Sequence, residues 1–357
     1  MRDENRVGLG WLRFSCDVRY LSYWKKRVKQ FFKVRPKSRG KGWQGYSESL
    51  QAGLGILIAY TPRYTEQERQ ALGIKPSPNE GMMTVDITQS ALDSLRERNH
   101  LALWLEVFGC DGVNITRFDI YYDDYCKVVS PRRVYDLCEA GLVGVPKIKK
   151  MRPDGNHDLG TGKSMGWTTY FGSEKSDKQF RYYDKCLESD GQQDCYRLEL
   201  EGKGQYANEF APYMLEALER AMNCDSVADS VSVLKDAYKA LLKGSISFHE
   251  LPPGTDPRNL PQNWAARTPK TWWWKEMMAG LEPAKLTLDR VEPSLEKSVA
   301  WIKSQVAPSL ALIRSVFGRW GIPFTSWLHR ALDDGEERWK DKHWQMFEDA
   351  CLTSPAV

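Results

Sequence analysis

The sequence lacks the residue patterns of the common metal, redox and membrane classes. None of its eight cysteines forms a CxxC pair, and no histidine stands at zinc-ligand spacing from one of them. The five histidines are scattered, so no His-apolar-His pair is present. No apolar run approaches the roughly 18 residues of a membrane helix, and no signal-peptide core is found near the first residue. These absences predict reduced thiols, no membrane association and a cytoplasmic location.

Positive charge is concentrated in one segment, although the net charge is only +4. Residues 25–41 contain nine Lys or Arg and no acid. Apolar residues at helical spacing in 20–33 predict an amphipathic helix that carries the first of these cations. Cations bind phosphates, which predicts a DNA-binding helix; the alternative is a solvated helix face above an apolar stripe. The predicted DNA-binding residues are Lys25, Lys26, Arg27, Lys29 and Lys33.

Residues 160–164 resemble the end of a phosphate-binding loop. The pattern GxxxxGK[ST] requires glycine at position 157, where His157 stands, and no buried strand precedes the motif. This excludes an ATPase of that type and leaves Lys163 as a candidate DNA contact.

Periodicity and turn signals predict an α+β fold. We expect a mainly antiparallel sheet covered by helices, followed by a helical C-terminal region. The predicted domains are 1–250, a proline-rich linker at 251–270 and a Trp-rich helical region at 271–357. Within the first domain, 88–108 is predicted as one helix, 146–163 as a loop, and 225–243 as a helix ended by Gly244.

Three strand-like segments, 116–123, 180–185 and 196–201, carry charge on one parity and apolar residues on the other. Side chains of a strand point alternately to opposite faces. If the segments share a sheet, one face is therefore core and the other is charged. The predicted charged set is Arg117, Asp119, Tyr121, Asp123, Arg181, Tyr183, Lys185, Arg197, Glu199 and Glu201.

This set suits metal-assisted phosphoryl transfer to a tyrosine. Tyr182 and Tyr183 are adjacent, and parity selects Tyr183 for the charged face. A phenol with a pKa near ~10 attacks phosphate when cations or a metal help it to ionise, and Arg181 and Lys185 are placed to do so. The alternatives are a surface tyrosine beside two cations, and cross-strand ion pairs on a solvated sheet. Carboxylates suit Mg²⁺ or Mn²⁺, and the predicted metal ligands are Asp119, Glu199, Asp123 and Glu201.

The same segments resemble the replication initiation factor family, the rolling-circle initiators of small plasmids and filamentous bacteriophages. Residues 168–188 resemble the family signature YFG–S–(I/F)RxYxK–E. Residues 117–123 resemble the pattern RxDxxxD, and residues 197–201 resemble RxExE. The motifs stand in the family order, and the resemblance covers about residues 10–245.

The resemblance implies a site-specific DNA nickase and ligase in which Tyr183 falls on the family tyrosine. That tyrosine would attack one phosphodiester of the origin, keep the 5′ phosphate as a phosphotyrosine and leave a free 3′ hydroxyl as primer. The reverse transfer would close the strand. The resemblance also implies a divalent metal, with Asp119 and Glu199 as the first choices for ligands and Asp123 and Glu201 next. The predicted roles of the cations are phosphate support by Arg181 and Lys185, and DNA contact by Arg117 and Arg197.

Origin DNA, as duplex, cruciform or single strand, is the predicted partner. A host helicase, a polymerase and a second copy of the chain are further candidates. Two hypotheses compete with the nickase. One is a non-enzymatic single-stranded DNA-binding protein of a phage or plasmid, for which Tyr183→Phe would change neither DNA affinity nor replication. The other is a regulatory relative that lost the chemistry, which the presence of Tyr183 with all four carboxylates opposes.

Overall fold

The computed structural model describes residues 5–162, 164–189, 191–251, 254–256, 268–286, 295, 298–299, 302–340, 343–344 and 346–348. The chain divides into two compact units, Met1–Leu288 and Asp289–Val357. The first unit therefore extends past the predicted domain boundary at residue 250. Lys163, a predicted DNA contact, lies outside the described residues.

The first unit is built on a ten-stranded antiparallel sheet. The strands of the unit are β1 (Arg6–Asp17), β2 (Lys37–Ser38), β3 (Glu48–Ala52), β4 (Ile56–Tyr60), β5 (Met82–Thr88), β6 (Asn114–Asp124), β7 (Val143–Gly144), β8 (Met151–His157), β9 (Ser164–Phe171), β10 (Lys178–Asp184), β11 (Tyr196–Lys203) and β12 (Ser247–Phe248). The order in the sheet is β2-β3-β4-β5-β1-β6-β11-β10-β9-β8, while β7 and β12 form a separate pair. The predicted antiparallel sheet is confirmed.

Helices pack against this sheet. They are α1 (Leu21–Phe32), α2 (Glu66–Leu72), α3 (Gln89–Asp93), α4 (Glu97–Phe108), α5 (Pro131–Glu139), α6 (Lys185–Glu188), α7 (Gly204–Met222), α8 (Val227–Ser245) and α9 (Trp272–Met277), with 3-10 turns at Val18–Tyr20 and Gly53–Gly55. Phe118 of β6 stacks on Phe210 of α7 with 3.7 Å between ring centroids. The ring centroid of Trp24 of α1 lies 4.7 Å from that of Phe14 of β1. These contacts place the core between the sheet and its helices.

Three local predictions were wrong, each because of a local or tertiary contact. The helix predicted at 88–108 is broken into α3 and α4, where Ser94 Oγ donates to the carbonyl of Ala91 at 2.6 Å and ends α3. The loop predicted at 146–163 contains β8, whose backbone pairs with β9. Helix α8 runs through Gly244 to Ser245. A Cβ at Gly244 would lie 1.7 Å from the carbonyl oxygen of Ala284, so this glycine serves a close backbone approach.

The Trp-rich segment contains helices, as predicted, although its residues 281–286 are not helical. In the first unit, Trp273 and Trp274 of α9 pack on Phe248 at 4.9 and 5.0 Å between ring centroids. The second unit contains a π turn (Ile302–Val306), α10 (Ala307–Arg319) and α11 (Phe324–Glu336). Helices α10 and α11 contact each other through Phe317 and Trp327, whose ring centroids are 5.4 Å apart. Across the described ranges, every helix is too short or too polar to span a bilayer.

Candidate active site

The two adjacent tyrosines of β10 point to opposite faces of the sheet, as the alternation predicts. Tyr182 is 1% exposed in the hydrophobic core, and its hydroxyl donates to the carbonyl of Val129 at 2.9 Å. Tyr183 lies on the other face, where its hydroxyl donates to Glu199 Oε2 at 3.1 Å. Its ring therefore belongs to the polar side of the sheet.

Strands β6, β11 and β10 are neighbours, so their charged residues form one surface, which we call the charged face. The register sets Glu201 opposite Asp119, Glu199 opposite Arg181, and Arg197 between Asp123 and Tyr183. Alternation within each strand then brings together residues that lie up to 84 positions apart in the sequence. The members of the charged face are Arg117, Asp119, Tyr121, Asp123, Arg181, Tyr183, Arg197, Glu199 and Glu201.

One end of the charged face is a cluster of carboxylates bound by cations. The Arg117 guanidinium donates to Asp119 at 2.9 and 2.7 Å and to Glu201 at 2.8 Å. Burial, with the charge of Glu199, raises the pKa of Asp119 to about 7, although Arg117 opposes this rise. Burial also acts to raise the pKa of Glu201, but the hydrogen bond from Lys203 and the charge of Arg117 outweigh it and lower that pKa.

Tyr183 is linked to this carboxylate cluster through Glu199 and Arg181. Arg181 Nη2 donates to Glu199 Oε1 at 2.6 Å, while the phenol of Tyr183 donates to the other Glu199 oxygen. Burial and then the charge of Glu199 raise the pKa of Tyr183 above its ordinary value, and the nearby Arg197 and Arg181 only partly oppose this. Arg197 and Arg181 therefore favour ionisation of the phenol, as expected of nearby cations, but burial and Glu199 outweigh them in this conformation. The hydroxyl keeps its proton and faces a carboxylate that can accept it.

The other end of the charged face is closed. Arg197 is 1% exposed and donates to both oxygens of Asp123, at 2.6 and 2.8 Å. Its guanidinium also lies 4.0 Å from the centroid of the Tyr121 ring. Gly8 of β1 makes room for that ring, because a Cβ there would lie 2.8 Å from the Tyr121 hydroxyl. In this conformation neither Asp123, predicted as a metal ligand, nor Arg197, predicted as a DNA contact, reaches the surface.

Lys185 does not belong to the strand. β10 ends at Asp184, which caps α6 by accepting from the backbone N–H of Cys186 at 3.0 Å. Lys185 is the first residue of α6, and its Nζ lies 5.8 Å from the centroid of the Tyr183 ring and bonds Glu188. It stays near Tyr183, but through a helix start rather than through strand parity.

A cavity of about 640 Å³ opens in front of Tyr183. Tyr183, Arg181 and Glu199 line it, together with side chains that were not among the predicted site residues. These are chiefly Trp11 of β1, Gln89 of α3, Tyr170 of β9 and Gln193 before β11. Trp11 has the same strand parity as Arg13, but nothing in the sequence showed that β1 would pair with β6.

The carboxylates suit a divalent cation by chemistry but are now bound by the chain's own cations. Among the residues that the structure describes, no three His, Cys, Asp or Glu side chains are grouped as metal ligands. Asp119 and Glu199 are oxygen donors of the kind that Mg²⁺ and Mn²⁺ prefer. Arg181 Nη2 contacts both, 2.6 Å from Glu199 and 3.9 Å from Asp119. A metal held by this pair would therefore compete with the Arg181 guanidinium.

The predicted basic helix lies on the other side of the sheet. The amphipathic pattern is confirmed, since Trp24, Val28 and Phe32 of α1 are buried against the core. Lys25, Lys26, Lys29 and Lys33 are exposed, whereas Arg27 bonds Glu106 at 2.9 Å. Because α1 packs on the face opposite to Tyr183, the structure does not bring its lysines together with the charged face.

Comparison with known sequences assigns the chain to a family. The profile of the family described as "Replication initiation factor" matches residues 113–332, which is more than half of the chain. The protein therefore belongs to the replication initiation factor family. The match includes β6, β10 and β11, and it continues past the proline-rich segment, where the sequence motifs alone had shown no resemblance.

Individual proteins similar to this chain include a sequence relative and a solved structure. One is the "Putative DNA relaxase NicK" of Bacillus subtilis (strain 168), which is 22% identical over 209 residues, covering 57% of this chain and 53% of the relative. The chain thus spans about half the length of that relative. The other is the solved structure of a rolling circle replication initiator protein from Geobacillus stearothermophilus, with a TM-score of 0.56 and 18% identity. That alignment covers 80% of this chain and 100% of the solved chain, which shows a shared fold.

Proposed function

We propose that this protein initiates rolling-circle replication by nicking one strand of origin DNA with Tyr183 and later religating it. The observation that carries the proposal is the position of the Tyr183 phenol, which lines an open polar cavity while it donates to Glu199 at 3.1 Å. Membership of the replication initiation factor family and the names of the two similar proteins support this choice of reaction.

In the proposed reaction the Tyr183 oxygen attacks the phosphorus of one phosphodiester. The phenol proton passes to Glu199 Oε2, since the pKa of Tyr183 is raised and the phenol needs an acceptor as it attacks. The bond from phosphorus to the 3′ oxygen breaks, and that oxygen takes up a proton from solvent water to become the free 3′ hydroxyl. The 5′ phosphate stays on Tyr183. In religation a 3′ hydroxyl attacks the phosphotyrosine, and Tyr183 regains its proton, so no nucleotide cofactor is needed.

Cations of the site would hold the phosphate during transfer. Arg181 and Lys185 line the cavity with Tyr183. The Arg181 side chain is 32% exposed and lines the cavity, so part of its guanidinium can meet an incoming anion. Guanidinium donors suit phosphate oxygens, which supports the role predicted for Arg181.

We also propose that Mg²⁺ or Mn²⁺ assists the DNA-bound protein. Asp119 and Glu199 would hold the ion, which would supply positive charge to a phosphate oxygen. Both aspartates are bound at both oxygens by an arginine, but the partner of Asp123, Arg197, is only 1% exposed, whereas the partner of Asp119, Arg117, is 18% exposed. Asp123 is therefore the poorer ligand, and Glu201 is held by Arg117 and Lys203. None of the steps above depends on this ion. Mn²⁺ titration followed by electron paramagnetic resonance, with and without DNA, would measure binding independently of activity.

Origin DNA is the proposed substrate, and the cytoplasm of a bacterial host is the proposed location. A host helicase, a polymerase and a second copy of this chain are proposed as further partners, on the ground of the family's role alone.

The deciding experiment compares Tyr183→Phe with Tyr182→Phe on supercoiled DNA of the parent replicon. We expect Tyr183→Phe to abolish both nicking and the covalent protein–DNA adduct. Tyr182→Phe should keep both, because that hydroxyl bonds Val129 in the core. Nicking that persists in Tyr183→Phe would contradict the proposal. Tight binding without any nick by the wild type would favour the binding-protein hypothesis instead.

A further inference from the structure

The cavity beside Tyr183 is larger than attack on a phosphate requires. Its volume is about 640 Å³, within the roughly 300–1,000 Å³ of pockets that enclose whole small molecules. Tyr183, Arg181 and Glu199 account for the reacting group only. The remaining walls are therefore available to the part of the substrate next to the phosphate.

Two aromatic side chains provide walls with stacking surfaces. Trp11 and Tyr170 line the cavity from β1 and β9 and are each half-buried. The Arg117 guanidinium lies 4.1 Å from the Trp11 ring centroid, and that of Arg152 lies 4.6 Å from the Tyr170 centroid. Trp11 is also fixed by its indole N–H, which donates to Asp86 at 2.7 Å. Aromatic rings beside cations are the usual stacking partners of unpaired bases.

Two glutamine amides in the cavity are oriented by bonds to the protein. Gln89 Nε2 donates to Asp93 at 3.1 Å, which leaves the Gln89 carbonyl oxygen as an acceptor. Gln193 Oε1 accepts from Arg197 at 3.2 Å, which leaves the Gln193 amide hydrogens as donors. A fixed acceptor and a fixed donor can discriminate between base edges, because each base has its own pattern of donors and acceptors.

We infer that this cavity binds one unpaired nucleobase adjacent to the cleaved phosphodiester, and that Gln89 and Gln193 select it. The inference rests on the proposed function, which places the phosphate at Tyr183. A base enters such a pocket only after it leaves the stacked duplex. The substrate form is therefore single-stranded or locally unpaired origin DNA, rather than intact duplex.

The test uses a randomised single-stranded DNA library as the probe. The protein is incubated with the library, covalent adducts are isolated, and both product ends are sequenced. We expect a base preference of about 10-fold or more at one position flanking the cleaved bond. Gln89→Ala should reduce that preference. Gln70→Ala, a change in an exposed glutamine of α2, should leave it intact.

Stacking is tested separately from base selection. Trp11→Ala should raise KM for the library oligonucleotides by about 10-fold with a smaller change in kcat, and Trp11→Phe should restore most of the loss. Adducts without a preference at the flanking positions, or a preference that Gln89→Ala does not change, would overturn this inference and leave the proposed function standing. The absence of any adduct would overturn the proposed function and this inference with it.

Discussion

The two ends of the charged face have similar sequences and different environments. Both carry an arginine paired with an aspartate: Arg117 with Asp119 along β6, and Arg197 of β11 with Asp123 opposite it on β6. Arg197 and Asp123 are closed off together, with side-chain exposures of 1% and 2%, whereas the Arg117 side chain is 18% exposed. At the closed end, Arg197 and Asp123 satisfy each other in one bidentate ion pair. The open end shares its cations among several carboxylates, which leaves it able to exchange partners with a substrate.

The comparison indicates that a motif residue can serve the site without touching the substrate. Arg197 stands opposite Tyr183 in the sheet and is fixed by Asp123 and Tyr121. It can therefore position the tyrosine from the neighbouring strand on the same face of the sheet. Arg181 and Glu199 lie toward the cavity and can act on the reacting atoms directly.

Glu199→Gln is expected to have the largest effect, because it removes the proton acceptor at the open end. We expect the rate of adduct formation to fall by about 10²–10⁴-fold, with a much smaller change in DNA affinity. Single-turnover assays on the cleavable strand would measure the rate. Glu201→Gln is the matched control, since that carboxylate shares the face without bonding Tyr183. Equal losses in the two variants would contradict a specific role for Glu199.

Arg197→Met is expected to destabilise the folded protein by removing the ion pair at the closed end of the charged face. Removing one partner leaves the buried Asp123 charge unpaired, so the free energy of unfolding should fall by about 3–5 kcal/mol. Arg117→Met should cost less, because that pair is partly solvated and Glu201 retains Lys203. Urea unfolding would measure both values. The double variant Asp123→Leu with Arg197→Met should recover stability, and failure to do so would argue against an unpaired charge as the cause.

Asp119 should make stability depend on pH in metal-free buffer. Burial raises the pKa of Asp119 from 3.8 to about 7, so the folded protein binds this proton more tightly than the unfolded chain. The resulting stabilisation is complete below about pH 4 and is lost as the pH rises through 7. Asp119→Asn should match the wild type near pH 4 and be more stable at pH 8, by on the order of 1–4 kcal/mol.

Urea unfolding in EDTA at several pH values would check this dependence. Asp333→Asn, at an exposed site in α11, is the control and should show no such difference. A constant gap between Asp119→Asn and the wild type at all pH values would exclude titration of Asp119.

Substitutions in the basic helix α1, on the far side of the sheet, are expected to have the smallest effect, which concerns the salt dependence of DNA affinity. Each phosphate contact contributes about 0.7–0.9 to the slope of log affinity against log salt concentration. Lys25→Ala with Lys29→Ala should change that slope for single-stranded DNA by less than one contact, and Arg181→Ala should change it more. A larger change in the lysine variant would show that DNA also passes over α1.

The alternation of charge in three segments was sufficient to predict the antiparallel sheet, the separation of Tyr182 from Tyr183 and the grouping of the four carboxylates on one face. These features follow from the two-residue repeat of a strand. Because that repeat is local, it can be recognised in the sequence. The basic helix was predicted for the same reason, since its apolar stripe repeats at helical spacing.

The sequence by itself determined the elements, their parity and the residue types on each face. Only the tertiary structure decided that β1 enters between β5 and β6, which brings Trp11 and Gln89 to Tyr183 from more than 90 residues away. It also decided that Asp123 and Arg197 are closed off, that α1 lies on the opposite face, and that Lys185 starts a helix. These outcomes depend on backbone pairing and burial between distant segments, and neither is encoded in any local repeat.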